Sequence, residues 1–270
     1  MNRTISTMKA SVVKRTANDS DAETALMELT PASRPEQLSA REPLVAAKAE
    51  RMSFLDIVLS IYQGFGVTAT VTILGLLYAI PFALLGGVLQ HFSTGIYRWG
   101  VTAVIEFWRS SPVIVLLYAF YYSLPAFGVY LSGITVGAMV LGLNAGAYGS
   151  QSIRAALQSL DRGQSEAGLA LGLSRLHVLR FIELPQAVAA MVPTFTNEAI
   201  QLIKGTALVS LITLTDMTFR AKQISQLSYD PVGIYSGLLL SYLIICYPVT
   251  IFGRYLHASL GKGRGHADEL

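Results

Sequence analysis

The sequence predicts an all-α membrane protein with five transmembrane helices. Apolar residues make up 52% of the 270 residues and charged residues only 14%, and the mean hydropathy is +0.49. Three long stretches contain no Asp, Glu, Lys or Arg: residues 57–97, 110–153 and 231–253. A typical soluble domain of this length is less apolar. The chain must therefore use lipid as part of its solvent.

The N-terminal segment, residues 1–52, has a different composition from the rest of the chain. It contains eight Lys and Arg residues, seven Asp and Glu residues and three prolines, with no sustained apolar run. We predict a mobile, nearly neutral polar tail. The first apolar run begins well after the position at which a signal peptide has its apolar core, so we expect no cleavage there.

The first two charge-free stretches supply three spans. Residues 66–89 are long enough to cross a hydrocarbon layer of about 30 Å, which gives span one. Residues 110–153 are about twice as long as one crossing, so this stretch must fold back. The helix breakers of segment 124–133 place the turn. Span two is then Pro112–Leu124 and span three is Ile134–Ile153.

Two further spans complete a transmembrane domain that covers residues 53–256. Span four, Met191–Leu214, carries the charged residues Glu198 and Lys204. Span five, Pro231–Gly253, is free of charge. Because the number of spans is odd, the two chain ends should face opposite sides of the membrane.

Basic residues indicate the orientation of the spans. In the short loops they lie mainly before span two, around residues 155–190 and after span five: Arg98, Arg109, Arg154, Arg162, Arg175, Arg180, Arg254, Lys262 and Arg264. Short cytoplasmic loops carry the excess of Lys and Arg. We therefore predict that residues 155–190, called the handle below, and the C-terminal tail, residues 257–270, are cytoplasmic. The N-terminal tail is then periplasmic.

The sequence contains no catalytic or metal-binding constellation. It has no GxxxxGK[ST] phosphate loop, its four histidines lack the spacing of a metal site, and its single cysteine, Cys246, lies in span five. No basic patch with interleaved aromatic residues suggests nucleic-acid binding. We expect no enzyme activity, no cofactor and no nucleic-acid partner.

The handle is predicted to form two short helices joined by a turn. Ser165 suits the N-cap of the first helix, and Gly172 supplies the left-handed residue that commonly follows a helix. Ser174 suits the N-cap of the second helix, which should end before Pro185 because proline pushes the preceding residue out of the helical region. Three leucines should be exposed and able to lie in a partner's groove: Leu169, Leu171 and Leu173. An ordinary amphipathic surface loop is the alternative.

Polar residues inside the spans are costly in lipid and therefore informative. Two polar stripes recur at helical spacing: Asn144, Tyr148 and Gln151 on span three, and Thr194, Asn197, Gln201 and Lys204 on span four. Facing each other, they would form a small hydrated site; the alternative is that they hydrogen-bond between helices at about 0.6 kcal/mol each. Lys204 favours the cavity, because an ammonium group facing lipid is expensive. Span three also has two glycine pairs typical of closely packed membrane helices: Gly133 with Gly137 and Gly142 with Gly146.

The handle carries a motif that resembles that of a known family. The pattern EAA, three residues, G, nine residues, I, one residue, LP matches at Glu166, Ala167, Gly172, Ile182, Leu184 and Pro185, with Gly168 in place of the second alanine. This is similar to the cytoplasmic loop of permease subunits of bacterial ATP-binding-cassette (ABC) importers. Five further segments resemble motifs of the polar amino-acid uptake branch (histidine, glutamine, arginine, opine and ectoine permeases): Arg109–Pro112, Asn144–Arg154, Gly163–Glu166, Asn197–Glu198 and Lys204–Thr206. The likeness extends from about Gly64 to Leu256.

The resemblance implies a type I ABC importer permease fold in the bacterial inner membrane. It also implies two ABC ATPase subunits inside, a soluble extracytoplasmic substrate-binding protein outside and a second permease, identical or homologous. ATP hydrolysis would then belong to the ATPase subunits. The resemblance assigns the role of ATPase coupling to seven residues of the handle: Glu166, Ala167, Gly168, Leu169, Leu171, Gly172 and Leu173.

One departure from the family motif concerns the cargo. Many members have a carboxylate where this chain has Gln151, and a carboxylate there could neutralise a cationic side chain. A neutral amide can only hydrogen-bond, so we expect a neutral or zwitterionic polar amino acid or amino-acid derivative. Two other functions stay open: a secondary transporter, although the sequence shows no inverted repeat, and a membrane scaffold or sensor without transport.

Overall fold

The computed structural model describes residues 53–227 and 230–261, and every regular element in these residues is helical. The predicted N-terminal tail and residues 262–270 lie outside the described residues. Eleven α-helices occur in the described part: α1 Phe54–Tyr62, α2 Phe65–Phe92, α3 Gly95–Ser110, α4 Val113–Tyr118, α5 Gly133–Ser159, α6 Arg162–Ala170, α7 Arg175–Val178, α8 Leu184–Ala190, α9 Val192–Gly205, α10 Met217–Leu227 and α11 Pro231–Gly261. Two π-helical and two 3₁₀ segments extend them: Ala119–Ser123, Leu179–Glu183, Leu124–Phe127 and Thr206–Ile212.

Helix α5 is the centre of the bundle. It packs along α2 and also contacts α3, α4, α8 and α9, and its buried side chains form the main apolar core with those of α2 and α3. Glycines bring the α2 and α5 backbones together. A Cβ added at Gly142 would meet the backbone of Gly75, and one at Gly146 would lie 2.7 Å from the carbonyl oxygen of Ala79. The predicted close packing of this glycine pair is confirmed.

The described helices fit a membrane protein of several spans. Helices α2 and α11 are each long and apolar enough to cross a membrane. Two bent pairs satisfy the same test when each is taken as one span: α3 with Val113–Phe127, and Arg175–Ala190 with Val192–Ile212. Helix α5 is more polar and richer in glycine, and it lies among these elements. With α5 added, the count is compatible with the five predicted spans.

A bend between α3 and α4 lies at the predicted start of span two. The two helices are bent by 98°. Pro112 forces the preceding residue, Ser111, into an extended conformation with ψ 138°, which ends α3. If the pair forms one span, that span includes α3 and does not begin at Pro112. The predicted turn before α5 is confirmed, because the 3₁₀ segment Leu124–Phe127 ends at Gly128 with φ 78°.

Candidate functional site

The first limb of the handle is α6, and it begins earlier than predicted. Asp161 is the N-cap, and its Oδ1 accepts a hydrogen bond from the backbone N–H of Gly163 at 2.9 Å. The prediction that Ser165 caps this helix is wrong, because the carboxylate of Asp161 already serves the free N–H groups at the helix start. Ser165 lies inside α6 and donates its hydroxyl hydrogen to Oε1 of Glu183 in the second limb.

The turn between the limbs follows the prediction. Gly172 has φ 82°, a left-handed conformation that favours glycine. Its backbone N–H donates to the carbonyl oxygen of Leu169 at 2.9 Å. Ser174 caps the second limb, since its Oγ accepts from the backbone N–H of His177 at 3.4 Å. Both predicted roles, for Gly172 and Ser174, are confirmed.

The second limb does not end before Pro185, as the sequence had suggested. Leu184, the residue before the proline, keeps helical angles of φ −64° and ψ −43°. The π-helical turn Leu179–Glu183 precedes it, and Pro185 occupies the first turn of α8, where a missing N–H costs no hydrogen bond. Residues 175–190 therefore form one helical stretch, which bends by 57° into α9.

The handle presents apolar side chains to solvent, as predicted. Leu171 at the turn is 84% exposed, Leu169 is 40% exposed and Leu173 is 38% exposed. Glu166, Ala167 and Gly172 are also exposed. All six residues lie in the second half of α6 or in the turn that follows it.

Gly168 is the exception among the predicted coupling residues, because it is buried between the two limbs. A Cβ at this position would lie 2.9 Å from Cδ1 of Ile182 and 3.0 Å from Cγ2 of Val178. The second alanine of the family motif would therefore be tight here, so glycine suits this hairpin. Gly168 supports the handle from inside and offers no surface to a partner.

A cavity of about 350 Å³ lies between α5 and α9. Three of the seven predicted path residues line it: Asn144, Tyr148 and Gln201. Glu198 lines it as well, because positions 198, 201 and 205 lie on one face of α9. The sequence marked Glu198 as a charge in span four and as part of the family-like segment Asn197–Glu198, but not as a path residue. Its spacing of three residues from Gln201 is the signal that could have placed it at the site.

Two polar side chains of α5 at this cavity also hydrogen-bond to the end of α3. Asn144 Nδ2 donates to the carbonyl oxygen of Trp108 at 2.7 Å, and the Tyr148 hydroxyl donates to that of Arg109 at 3.1 Å. Both carbonyls belong to the last turn of α3, whose C=O groups have no partner within the helix. Both side chains therefore make the hydrogen bonds between helices that were the alternative to a hydrated site, and both also line the cavity.

The remaining predicted path residues do not line this cavity. Gln151 Nε2 donates to Oε1 of the buried Gln90 at 2.8 Å, and Gln90 in turn donates to Thr102. Asn197 and Lys204 are exposed on α9, and Thr194 is partly buried. Of the two predicted stripes, only Asn144, Tyr148 and Gln201 therefore meet at the cavity. A second, apolar cavity of about 470 Å³ lies beyond Glu198, between α2 and α11.

Comparison with known proteins decides the family. Residues 79–262 match the family described as binding-protein-dependent transport system inner membrane component. The chain belongs to this family. The permease is 38% identical over 168 residues to a probable amino-acid ABC transporter permease of Sinorhizobium fredii, covering 60% of the permease and 71% of that relative. It is 32% identical to the glutamine transport system permease protein GlnP of Escherichia coli, covering 68% and 84% of the two chains.

A solved structure agrees with these relatives. The crystal structure described as an amino acid ABC transporter with histidines covers 77% of the permease and 99% of its own chain, with 26% identity and a TM-score of 0.69. The predicted family and fold class are confirmed: the permease is an all-helical, multi-pass component of the inner membrane. Family membership does not favour a secondary transporter or a scaffold.

Proposed function

We propose that this chain is the permease subunit of an ATP-driven, binding-protein-dependent importer of amino acids. The observation that carries the proposal is the continuity between the handle and the cavity. The second limb of the handle, residues 175–190, runs through a single bend into α9, and α9 supplies Glu198 and Gln201 to the cavity. A movement of the handle would therefore change the wall of the cavity.

The handle is the proposed site of energy input. Its exposed surface, which holds the three leucines, is an apolar patch on a segment that the basic residues place in the cytoplasm. Two ABC ATPase subunits would bind this surface on two permeases, so ATP hydrolysis would take place outside this chain. In this orientation the C-terminal tail is cytoplasmic, the N-terminal tail is periplasmic, and a soluble substrate-binding protein delivers the cargo from outside.

A second permease, identical or homologous, is part of the proposal. Asn197, Gln201 and Lys204 are exposed on α9, within the bent pair that qualifies as a span. An ammonium group facing lipid is expensive, whereas one facing a hydrated path or another protein chain is tolerated. The exposed polar stripe of α9 therefore fits a path between two permeases better than a lipid-facing surface.

The proposed cargo is a neutral or zwitterionic polar amino acid or derivative. Gln151 does not line the cavity, so the charge argument now rests on Glu198, the one ionisable carboxylate among the lining residues. A single carboxylate can pair with the α-ammonium group of a cargo and leaves none for a cationic side chain. Glu198→Gln should weaken uptake of such a cargo, while Glu198→Asp should keep part of it. Equal uptake by all three proteins would remove Glu198 from the path.

The division of the chain is also part of the proposal. Residues 53–256 would form the transport domain with the handle at 155–190, and residues 1–52 and 257–270 would be tails outside it. A chain shortened to residues 53–256 should then keep ATP-driven uptake. Loss of uptake with normal membrane insertion would show that a tail takes part in transport.

Reconstitution tests the function and separates it from its rivals. The permease would be placed in proteoliposomes with its ATPase and substrate-binding protein, and uptake of radiolabelled amino acids would be measured. ATP should drive uptake, and ionophores should leave it unchanged. Uptake that follows an ion gradient without ATP would indicate a secondary transporter, and no uptake under either condition would indicate a scaffold or sensor.

A further inference from the structure

Two polar pairs join the two limbs of the handle at its base. Gln186 Nε2 donates a hydrogen bond to Oε1 of Gln164 at 2.6 Å. The Ser165 hydroxyl donates to Oε1 of Glu183. One pair links α6 to α8, and the other links α6 to the π-helical turn before α8. We call these four residues the clamp.

The opposite end of the handle is held in a different way. Close to the turn, Gly168 packs against Val178 and Ile182, and the left-handed Gly172 closes the backbone. This end would stay together without polar pairs. At the base, α6 is preceded by α5 in the chain, and the second limb passes into α8 and α9. The clamp joins the two limbs at this end.

The second limb also rests on the bundle. Leu179, Ala187 and Met191 belong to an apolar cluster that includes Ile153 and Leu157 of α5. The exposed Leu169 and Leu171 lie on the other side, in and just after α6. A force applied to these leucines can reach the second limb through the turn, through the packing of Gly168, or through the clamp. A closed clamp fixes the base of α6 to the second limb, whereas an open one lets the base of α6 move separately.

We propose that Gln164, Ser165, Glu183 and Gln186 are positioning residues that keep the handle closed during transport, so that it moves α9 as one lever. This inference rests on the proposed function of the handle. It adds a role for four residues that are neither the exposed leucines of the handle nor residues that line the cavity. Their effect should be on the number of amino acids imported per ATP hydrolysed.

The main test compares variants of the full-length permease in proteoliposomes with the ATPase and substrate-binding protein. The probe is a radiolabelled mixture of the proteinogenic amino acids, and ATP hydrolysis is measured in the same vesicles. In the double variant Gln164→Ala, Gln186→Ala, import per ATP should fall about two- to tenfold, the change expected for a lost hydrogen bond. The single variant Gln164→Glu, in which Gln186 is unchanged, keeps the acceptor oxygen and should keep the wild-type ratio. Gln158→Ala, at an exposed glutamine of α5, is the matched control.

Two further measurements distinguish a lever from a purely structural role. ATPase co-purification should stay at the wild-type level in the double variant, and the thermal unfolding temperature in detergent should fall by no more than about 4 °C, the shift that a lost hydrogen bond of about 1 kcal/mol gives. An unchanged import ratio would overturn the inference, and so would a lower ratio accompanied by loss of ATPase binding or by a larger loss of thermal stability. Failure of the wild-type complex to import with ATP would refute the proposed function itself, which is a separate result.

A crosslink tests the same idea in the opposite direction. With Cys246→Ala as background, Gln164→Cys and Gln186→Cys would join the limbs by a disulfide at the clamp. The crosslinked permease should import as many amino acids per ATP hydrolysed as the wild type, because the clamp stays closed in every state of the transport cycle. Loss of ATP-driven import on crosslinking, with recovery after reduction, would show that the limbs must separate and would overturn the inference.

Discussion

Replacing Gly172 with valine should uncouple the handle without unfolding the permease. Gly172 has φ 82°, and no heavy atom outside the turn lies within 4 Å of the position that a Cβ would take. The cost is therefore backbone strain and not a clash with neighbours. A residue with a Cβ loses about 1–2 kcal/mol in the left-handed region, which lowers the population of the native turn about 5- to 30-fold. A β-branched side chain should lie at or beyond the upper end of this range.

The assay is ATP hydrolysis and amino-acid import in the same proteoliposomes. The loss of import per ATP should be smallest in Gly172→Asn, larger in Gly172→Ala and largest in Gly172→Val, because asparagine tolerates the left-handed region best among these residues. Gly100→Ala is the matched control, since that glycine lies in α3 with an ordinary φ and no heavy atom within 4 Å of the position that a Cβ would take. Membrane insertion should be normal in all four variants. Wild-type import per ATP in Gly172→Val would refute the reasoning.

Three other predictions concern topology, helix packing and pH. In a cysteine-free background, Ser174→Cys should react with an impermeant thiol reagent only after the membrane is opened, and Ser225→Cys should react from outside; the reverse pattern would overturn the orientation. Asn144→Ala should lower the free energy of unfolding by about 1–3 kcal/mol, because a carbonyl at the end of α3 loses its donor; an unchanged unfolding temperature in detergent would contradict this. Burial raises the pKa of the Asp216 carboxyl despite hydrogen bonds from two backbone N–H groups. A carboxyl whose pKa is raised in the folded state stabilises the protein at low pH, and this contribution is lost as the pH rises. Asp216→Asn should therefore weaken the pH dependence of thermal unfolding. A pH profile identical to that of the wild type would contradict this prediction.

Two parts of the handle that depend on neighbouring residues could be predicted from the sequence. Ser174 and Gly172 act through the backbone of the next few residues, so their roles follow from their positions in the chain. Pro185 could not be placed in this way. Its effect depends on the π-helical turn before it. That turn accompanies the contact between the two limbs, and no local sequence pattern reveals it.

The cavity depends on contacts between distant segments, and here the sequence was less informative. Helical spacing placed Asn144 and Gln201 on stripes, and both line the cavity. The same spacing could not show that Gln151 binds Gln90, 61 residues earlier in the chain. It also could not show the bend of 98° that brings the end of α3 to Asn144.

The most direct test of the account is ATP-driven import by a permease whose handle surface has been made polar. Leu169→Asp with Leu171→Asp places two charges on the exposed patch and leaves the clamp and the cavity untouched. We predict normal membrane insertion, loss of ATPase co-purification and loss of ATP-driven amino-acid import. Import at the wild-type rate by this double variant would contradict the claim that the handle is where ATP energy enters the permease.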